Sequence, residues 1–442
     1  MMERTLLLVR RTAYTLRGGF LVRPLAIALT LGLVGASLSW LEQTTPEIAS
    51  WVPRMLFPSH SDPQLAQVIL GGIAASIMTV VSIVFAILLM TLTLASMQFS
   101  PRIIVSFVRD QVVQWTLGIF LGTFCYCMAA LPAARSVPAP FAPVVTVLGA
   151  MALAVACVVL LLFFIHHISQ AISVNHIVDR IAAETIVVIN DLMPHPRRYG
   201  KLAVPDTALP PGWRVPITSK ESGYLRFVDT KRLVDVAKET GVRVAVARRV
   251  GQFVPAGGVL LRASSSDRLT PDAAEAFLTA FDLGPTRTLQ QDVEFGVLQI
   301  VDIALRAISP AVNDPSTAIS CVDQLSRILI EFASRELPDG LLYDPPGTLR
   351  VSVPWLNRDG MLDSAFEQIR MYSKGDIAVS LRILRALGDV ASTVPHDEHL
   401  RRVILERGIR LVAGCAEKVN QEELYPLSQR LTTLREATHP LP

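Results

Sequence analysis

An asparagine, an aspartate and a proline stand together between two predicted amphipathic helices, as Asn313-Asp314-Pro315. Asp suits the N-cap and Pro the first helical position, so Asp314 is expected to cap the following helix. Carboxylate and amide oxygens also bind hard cations. The alternative hypothesis is therefore a cation or small-ligand site, with five candidate residues: Asp292, Glu294, Asp302, Asn313 and Asp314. Capping is the preferred interpretation, because it accounts for Asp314 without a ligand.

A second pattern lies in the second long apolar stretch. Small and hydroxyl-bearing residues recur there at alternating steps of three and four, which places them on one helical face. We call this face the stripe; its members are Gly72, Ala75, Thr79, Ser82, Ala86, Leu89, Thr93 and Ser96. One interpretation is a tight seam between helices of the bundle, where small residues allow close approach. The other is the lining of a pore around an oligomer axis.

Other kinds of chemistry find no support in the sequence. The five cysteines form no C-x-x-C pair, and hydrolase, nucleotide-binding and metalloprotease motifs are absent. We therefore expect no catalytic residues, no resident metal and no cofactor, and the protein is not predicted to be an enzyme. A net charge of +3 is too small to indicate a nucleic-acid partner.

The elements that carry these residues follow from hydropathy. The chain is 51% hydrophobic and only 18% charged, with a mean hydropathy of +0.43. Four uncharged runs of 18, 39, 24 and 30 residues crowd its first 165 positions: 24–41, 63–101, 111–134 and 136–165. Because a helix of about 20 apolar residues crosses a bilayer, we predict four transmembrane helices. The second run exceeds one span, so its helix either projects beyond the bilayer or starts after a loop near Gln64. The fourth helix is expected to continue to Ile181.

The flanking charges predict an orientation. The segment before the first span carries five arginines: Arg4, Arg10, Arg11, Arg17 and Arg23. The loop after the second span carries Arg102 and Arg109, whereas each of the other two loops carries one, Arg54 or Arg135. Positive residues collect on the cytoplasmic side, so both ends of the four-span domain are expected in the cytoplasm. A cleaved signal peptide is the weaker interpretation of the first span, because no clear cleavage site follows it.

The remainder has ordinary soluble composition. We predict a four-helix transmembrane domain with a basic N-terminal arm over 1–180, a linker over 181–222, a small β subdomain over 223–265 and a helical domain over 266–442. The predicted fold class is an α-helical membrane protein with four transmembrane helices, followed by a cytoplasmic α+β domain. In the β subdomain, Asp229 or Thr230 is expected to cap a short helix that Gly241 ends.

Several segments together resemble a known family: Ser100-Pro101-Arg102, residues 117–124, His166-His167-Ile168, residues 291–296 and residues 307–318. The resemblance is to the bacterial membrane-protein family catalogued as domain of unknown function 2254. It covers nearly the whole chain, and its most specific part is the asparagine–aspartate–proline segment. It implies an integral membrane protein with a cytoplasmic domain, and it carries over no catalytic residues. We expect a multi-pass protein of the bacterial inner membrane.

Two functions remain as hypotheses. The first is a homo-oligomeric ion channel or permeation pathway, lined by the second span and coupled to the cytoplasmic domain. The second is a membrane-anchored scaffold or sensor, whose cytoplasmic domain binds a partner or small ligand. The lipid bilayer is the one certain partner that the composition predicts. The stripe narrowly favours the first hypothesis, because it runs the whole length of the second span.

Overall fold

A computed structural model gives the fold of the protein. It describes residues 22–45, 62–98, 110–136, 140–171, 173–193, 215–264, 269–344 and 347–438. Most of the basic N-terminal arm (residues 1–21), Arg54, Arg102, Arg109 and the proline-rich part of the predicted linker lie outside these residues, whereas Arg23 lies in the first helix. The chain divides into two compact units, Met1–Ser173 and Val174–Pro442.

Four helices of the described N-terminal unit are long and apolar enough to cross a membrane. They are α1 (Val22–Thr44), α2 (Pro63–Gln98), α3 (Gln111–Ala130) and α4 (Val144–Ala171). Each predicted run has become one helix, so the prediction of four spans is confirmed. Helix α2 has 36 residues and starts at Pro63. At ~1.5 Å per residue it is longer than the ~30 Å hydrocarbon core, so it extends beyond the bilayer.

Polar contacts at the helix ends show that the four helices alternate in direction. Glu42, near the end of α1, accepts hydrogen bonds from the backbone N–H groups of Val145 (2.8 Å) and Thr146 (3.2 Å) at the start of α4. Asp110, which caps the start of α3, lies 2.9 Å from His167 near the end of α4. A side-chain amide at the start of α2 donates to the carbonyl group just after α3. The start of α1 and the end of α4 therefore lie on the same side of the bundle.

Helices α1 and α3 form the closest pair in this unit. The added Cβ of an alanine at Gly118 would lie 2.7 Å from Ile27 Cδ1, and at Gly122 only 2.4 Å from Leu31 Cδ1. Both glycines are needed because the two backbones approach each other with no room for side chains. The Gly-x-x-x-Gly pair of the third span is thus a packing feature.

The C-terminal unit is mixed α/β and mostly helical. Its described strands are β1 (Val215–Thr218), β2 (Gly223–Val228), β3 (Val244–Val246), β4 (Phe253–Val254), β5 (Val259–Ala263), β6 (Phe281–Gly284), β7 (Leu341–Asp344) and β8 (Thr348–Ser352). Five of them form a sheet in the order β1-β5-β3-β8-β7, in which only the β3–β8 pair is parallel. The other three form an antiparallel sheet in the order β4-β2-β6.

The other regular elements described in this unit are helices. Those described are α5 (Val174–Leu192), α6 (Thr230–Thr240), α7 (Pro271–Leu278), α8 (Val293–Ala307), α9 (Pro315–Ser334), α10 (Arg358–Tyr372), α11 (Ile377–Thr393), α12 (Glu398–Ala416) and α13 (Gln421–Thr438). The β core is made of fully buried aliphatic and aromatic side chains, among them Leu225, Leu233, Leu260 and Phe277. Their burial accounts for the stability of this part.

In this unit, the start and the end that were predicted for the helix between Asp229 and Gly241 are confirmed. Asp229 caps α6, accepting from the N–H of Arg232, and Gly241 ends the helix in a left-handed conformation with φ of 65°. Two features differ from expectation. Strands β6, β7 and β8 lie within the predicted helical domain over 266–442, and β1 lies in the predicted linker. The fourth span does not continue to Ile181, because α4 ends at Ala171, Ser173 is not helical and α5 starts afresh.

Candidate functional site

The outer face of α2 is the first candidate. The face that packs within the unit is aliphatic, and its members are buried: Ala66, Leu70, Ala74, Ile77, Val81 and Val84. On the opposite side, seven stripe residues are exposed: Gly72, Ala75, Thr79, Ser82, Ala86, Leu89 and Thr93. The side chain of Ser96 lies outside the described residues. The stripe therefore points away from its own bundle, and the interpretation as a seam between helices of one copy is wrong.

The stripe hydroxyls bond to their own helix. Thr79 donates to the Ala75 carbonyl at 3.1 Å, and Ser82 donates to a carbonyl one turn earlier at 2.9 Å. Thr93 does the same at 2.8 Å. A hydroxyl satisfied in this way tolerates a dry environment, and its oxygen still has lone pairs that can accept from water. Beside the stripe, an apolar groove of about 440 Å³ runs between α2 and α4, with Gly72 and Ser76 on one wall and Val158 on the other.

The second candidate lies in the C-terminal unit, where a buried ion cluster brings together two of the predicted carboxylates. Arg287 donates from Nε and Nη2 to the two carboxylate oxygens of Asp292, at 2.7 and 2.8 Å. Its Nη2 also donates to Glu294 Oε2 at 3.1 Å, and its guanidinium lies 5.5 Å from the centre of the Phe295 ring. Asp292 is only 4% exposed. A bidentate pair of this geometry compensates much of the cost of burying both charges.

Glu294 connects this cluster to two more elements. It accepts from Arg249 Nη2 at 3.1 Å and from the Ser364 hydroxyl of α10 at 2.9 Å. The β4 side of the cluster is held by Gly251, at φ of 90°, where an added Cβ would lie 2.3 Å from Asp292 Oδ2. Only glycine combines this backbone conformation with so close an approach.

The remaining residues of the 291–296 segment also have packing roles. The Gln291 side chain accepts from the Val228 N–H at 2.9 Å and donates to its carbonyl at 3.3 Å, which attaches β2 to the start of α8. An added Cβ at Gly296 would lie 1.9 Å from the Thr185 hydroxyl of α5. The segment is thus a junction at which α5, α8, α10 and the small sheet meet.

The other predicted ligand residues do not join this cluster. Asp302 lies in the middle of α8, whereas Asn313 and Asp314 follow the end of that helix. Since α8 has 15 residues, Asp292 and Asp314 are separated by about 22 Å along its axis. Asp314 caps α9, accepting from the Thr317 N–H at 3.1 Å and from its hydroxyl at 2.6 Å, as predicted. Within the described residues, no three His, Cys, Asp or Glu side chains are arranged to hold a metal ion.

A cleft of about 60 Å³ opens next to the cluster. Glu294 and Arg249 lie at one side of it. Its other lining is mainly apolar and includes Trp355, Phe332, Met193 and Met361. Its lining, apolar with a few charged groups at one wall, is of the kind found in small-molecule sites, although its volume is well below the roughly 300–1,000 Å³ of such sites.

No sequence pattern predicted the partners of these carboxylates. Arg287, Arg249 and Gly251 carry no motif. The sequence gives only one indication that such partners exist. Two acidic residues at the start of a hydrophobic helix need basic partners if they are buried. Nothing in the sequence indicates which arginines supply them.

Alternating apolar helices and a mixed α/β unit on one chain define a multi-span integral membrane protein with a large extramembrane part. The family of predicted membrane proteins known as DUF2254 matches residues 17–389. The chain is 33% identical over 428 residues to uncharacterized proteins of Mycobacterium bovis and of two strains of Mycobacterium tuberculosis. Those alignments cover 95% of this chain and 80% of each relative. No solved structure matches. The chain belongs to the DUF2254 family, as the sequence resemblance indicated.

Proposed function

We propose that the protein forms a homo-oligomer in the bacterial inner membrane, in which the stripes of neighbouring copies meet around a common axis and line a permeation pathway. The observation that carries this proposal is the position of the stripe on the outside of the bundle. Both ends of the four-span unit lie in the cytoplasm in this arrangement, because the basic N-terminal arm and second loop favour that side. The C-terminal unit is then cytoplasmic as well.

The contrast with the other outward surfaces supports a protein neighbour. Helix α4 exposes bulky side chains such as Val155, Leu162 and Phe163, and α1 exposes Leu29 and Leu33, as suits contact with lipid tails. The stripe instead presents glycine, alanine and hydroxyls, with Leu89 as its one bulky member. Small residues allow the helices of two copies to approach closely, whereas they offer lipid little contact area.

A pathway, rather than a closed contact, is supported by the hydroxyl content of the stripe. Thr79, Ser82 and Thr93 each keep acceptor capacity after bonding to their own helix, so a column of water can be solvated along this face. The stripe carries no ionised side chain, so selectivity in this proposal rests on pore width and hydroxyl dipoles instead of fixed charge.

The test combines labelling with flux in full-length protein whose native cysteines are replaced. Cysteine at Ala86 or Ala75 is expected to react with a charged, water-soluble thiol reagent, because water fills the pathway. Cysteine at Leu162 of α4, which faces lipid, is the matched control and should stay unlabelled. Leucine at Ala86 should block most of the ion flux into reconstituted vesicles, whereas Ile83→Leu should leave it unchanged, since it adds no volume to the stripe.

Stripe cysteines that remain unlabelled in folded protein, together with no ion flux, would contradict the pathway. The second candidate function would then lead: a membrane-anchored scaffold or sensor. The specific observation that favours it is the apolar cleft beside Trp355, with Arg249 and Glu294 at its wall.

A further inference from the structure

Three arginines border one groove on the helical side of the C-terminal unit. Arg382 and Arg385 lie on α11 and Arg430 lies on α13, and the groove between them has a volume of about 450 Å³. Gln429 and Thr433 add neutral polar groups to the α13 wall. Among the described residues that line it, none carries a carboxylate. The groove is therefore a local concentration of positive charge.

The three guanidinium groups differ in how far they are neutralised. Arg382 uses Nε and Nη2 for a bidentate pair with Asp323 of α9, which fixes its orientation. Arg385 has its Nε 3.9 Å from Asp389, and both side chains are more than half exposed, so this pair contributes little. Arg430 makes no ion pair with any described residue. At least two positive charges in this groove are thus available to a ligand.

A second opening beside α11 has a different balance of charge. Arg382 and Arg385 also border a second opening, between α11 and α9. There the wall includes three carboxylates, those of Asp323, Glu331 and Asp389. Acidic and basic groups are balanced on that side, whereas the α11–α13 groove has arginines alone.

We propose that the α11–α13 groove is an anion-binding site that takes a ligand with phosphoryl groups. The planar guanidinium fork matches phosphate oxygens with two parallel hydrogen bonds, and several arginines together suit a multiply charged group better than a single carboxylate. Such a set is provided by Arg382, which Asp323 orients, by the exposed Arg385, and by Arg430, which makes no ion pair with a described residue. The shared chemistry is that of a phosphate ester or diphosphate, whether it is free in solution or belongs to a lipid headgroup.

The first arm of the test uses inorganic pyrophosphate. Full-length protein in a neutral detergent is titrated by calorimetry at low ionic strength, where charge–charge attraction is least screened. Arg385→Gln and Arg430→Gln are each expected to weaken binding by about tenfold, the effect of losing one charge-assisted hydrogen bond. Arg435→Gln is the matched control, because it removes the same charge from the same helix outside the groove. Arg382 is left intact, since its pair with Asp323 also joins α11 to α9.

The second arm distinguishes the source of the phosphate. Dioctanoyl phosphatidic acid and dioctanoyl phosphatidylcholine are titrated into the same detergent solution. Groove-dependent binding of pyrophosphate assigns the site to a free phosphorylated ligand, and groove-dependent binding of phosphatidic acid alone assigns it to a lipid headgroup. The proposal is overturned if neither probe binds, or if Arg435→Gln weakens binding as much as the two groove variants while all melting temperatures stay equal.

Discussion

Two helices of the C-terminal unit begin with the same cap in different surroundings. Asp292 at the start of α8 has φ and ψ of −122° and 83°, and Asp314 at the start of α9 has −113° and 84°. Each accepts from the N–H three residues later, at 3.1 Å in both cases. Beyond this shared geometry the two sites diverge: Asp292 is buried against Arg287, whereas Asp314 is partly exposed and bonds to the Thr317 hydroxyl.

The surroundings shift the pKa values of the two carboxyl groups in opposite directions. Burial raises the pKa of Asp292, although the hydrogen bonds and charge of Arg287 act to lower it. Hydrogen bonds from Thr317 lower the pKa of Asp314. The same local sequence signal, an aspartate before a helix, therefore has two different roles. Asp292 joins distant parts of the structure, whereas Asp314 only caps the helix that follows it.

The largest effect is expected at the buried cap. Asp292→Ala leaves the Arg287 guanidinium buried without its bidentate partner, and breaking such a pair costs about 3–5 kcal/mol. Hydrogen exchange measured on peptides of α8 in the full-length protein should therefore accelerate strongly, as should exchange in the segment around Gly251. Adding Arg287→Met should restore part of the protection, because it removes the uncompensated charge. Equal protection in the Asp292→Ala variant and the wild type would contradict the junction.

A smaller effect is expected one turn into the same helix. Gly296→Ala places a Cβ where the Thr185 hydroxyl of α5 now lies, and overpacking of this kind costs about 1–3 kcal/mol. The matched control is Gly388→Ala in α11, where the nearest atom, Leu434 Cδ1, is 3.9 Å away. That change should be neutral or stabilise by up to ~1 kcal/mol, since alanine favours helix. A lower melting temperature for the control than for Gly296→Ala would mean that α8 and α5 are not packed this tightly.

Features that depend only on residues close together in the sequence were predicted, whereas features that depend on residues far apart were not. The cap at Asp314 and the helix between Asp229 and Gly241 require only neighbouring residues, and both were predicted. The cluster at Asp292 requires Arg287, Arg249 and Gly251. These residues come from two segments of the chain, 249–251 and 287–292, which only the tertiary structure brings together, so no local pattern predicts the cluster. Strands β7 and β8 were missed for the same reason, because their place in the sheet depends on a parallel partner about 100 residues earlier.

The stripe of α2 illustrates the intermediate case. Periodicity correctly placed its residues on one face, because an α-helix has a fixed number of residues per turn. Periodicity alone does not say which way that face points, since small residues suit a seam inside the bundle as well as one between copies. The direction is set by where α3 and α4 pack, and the aliphatic face that includes Leu70 and Val81 is the one they cover.

The smallest effect in the comparison is expected at Asp314, and it depends on pH. Asp314→Ala removes the cap and should destabilise α9 by about 1 kcal/mol at neutral pH, whereas Asp314→Asn keeps an N-cap oxygen and should cost less. Because the folded pKa of Asp314 is lowered, its ionised form contributes stability above the unfolded value of about 3.9, and this contribution is lost as the pH falls through the folded pKa. The difference in melting temperature between the wild type and Asp314→Asn should therefore shrink on acidification. At Asp292, whose pKa is raised, the difference in melting temperature between the wild type and an Asn variant should change with pH in the opposite direction. If the difference at Asp314 instead grew in acid, the two caps would titrate alike, and their surroundings would not distinguish them.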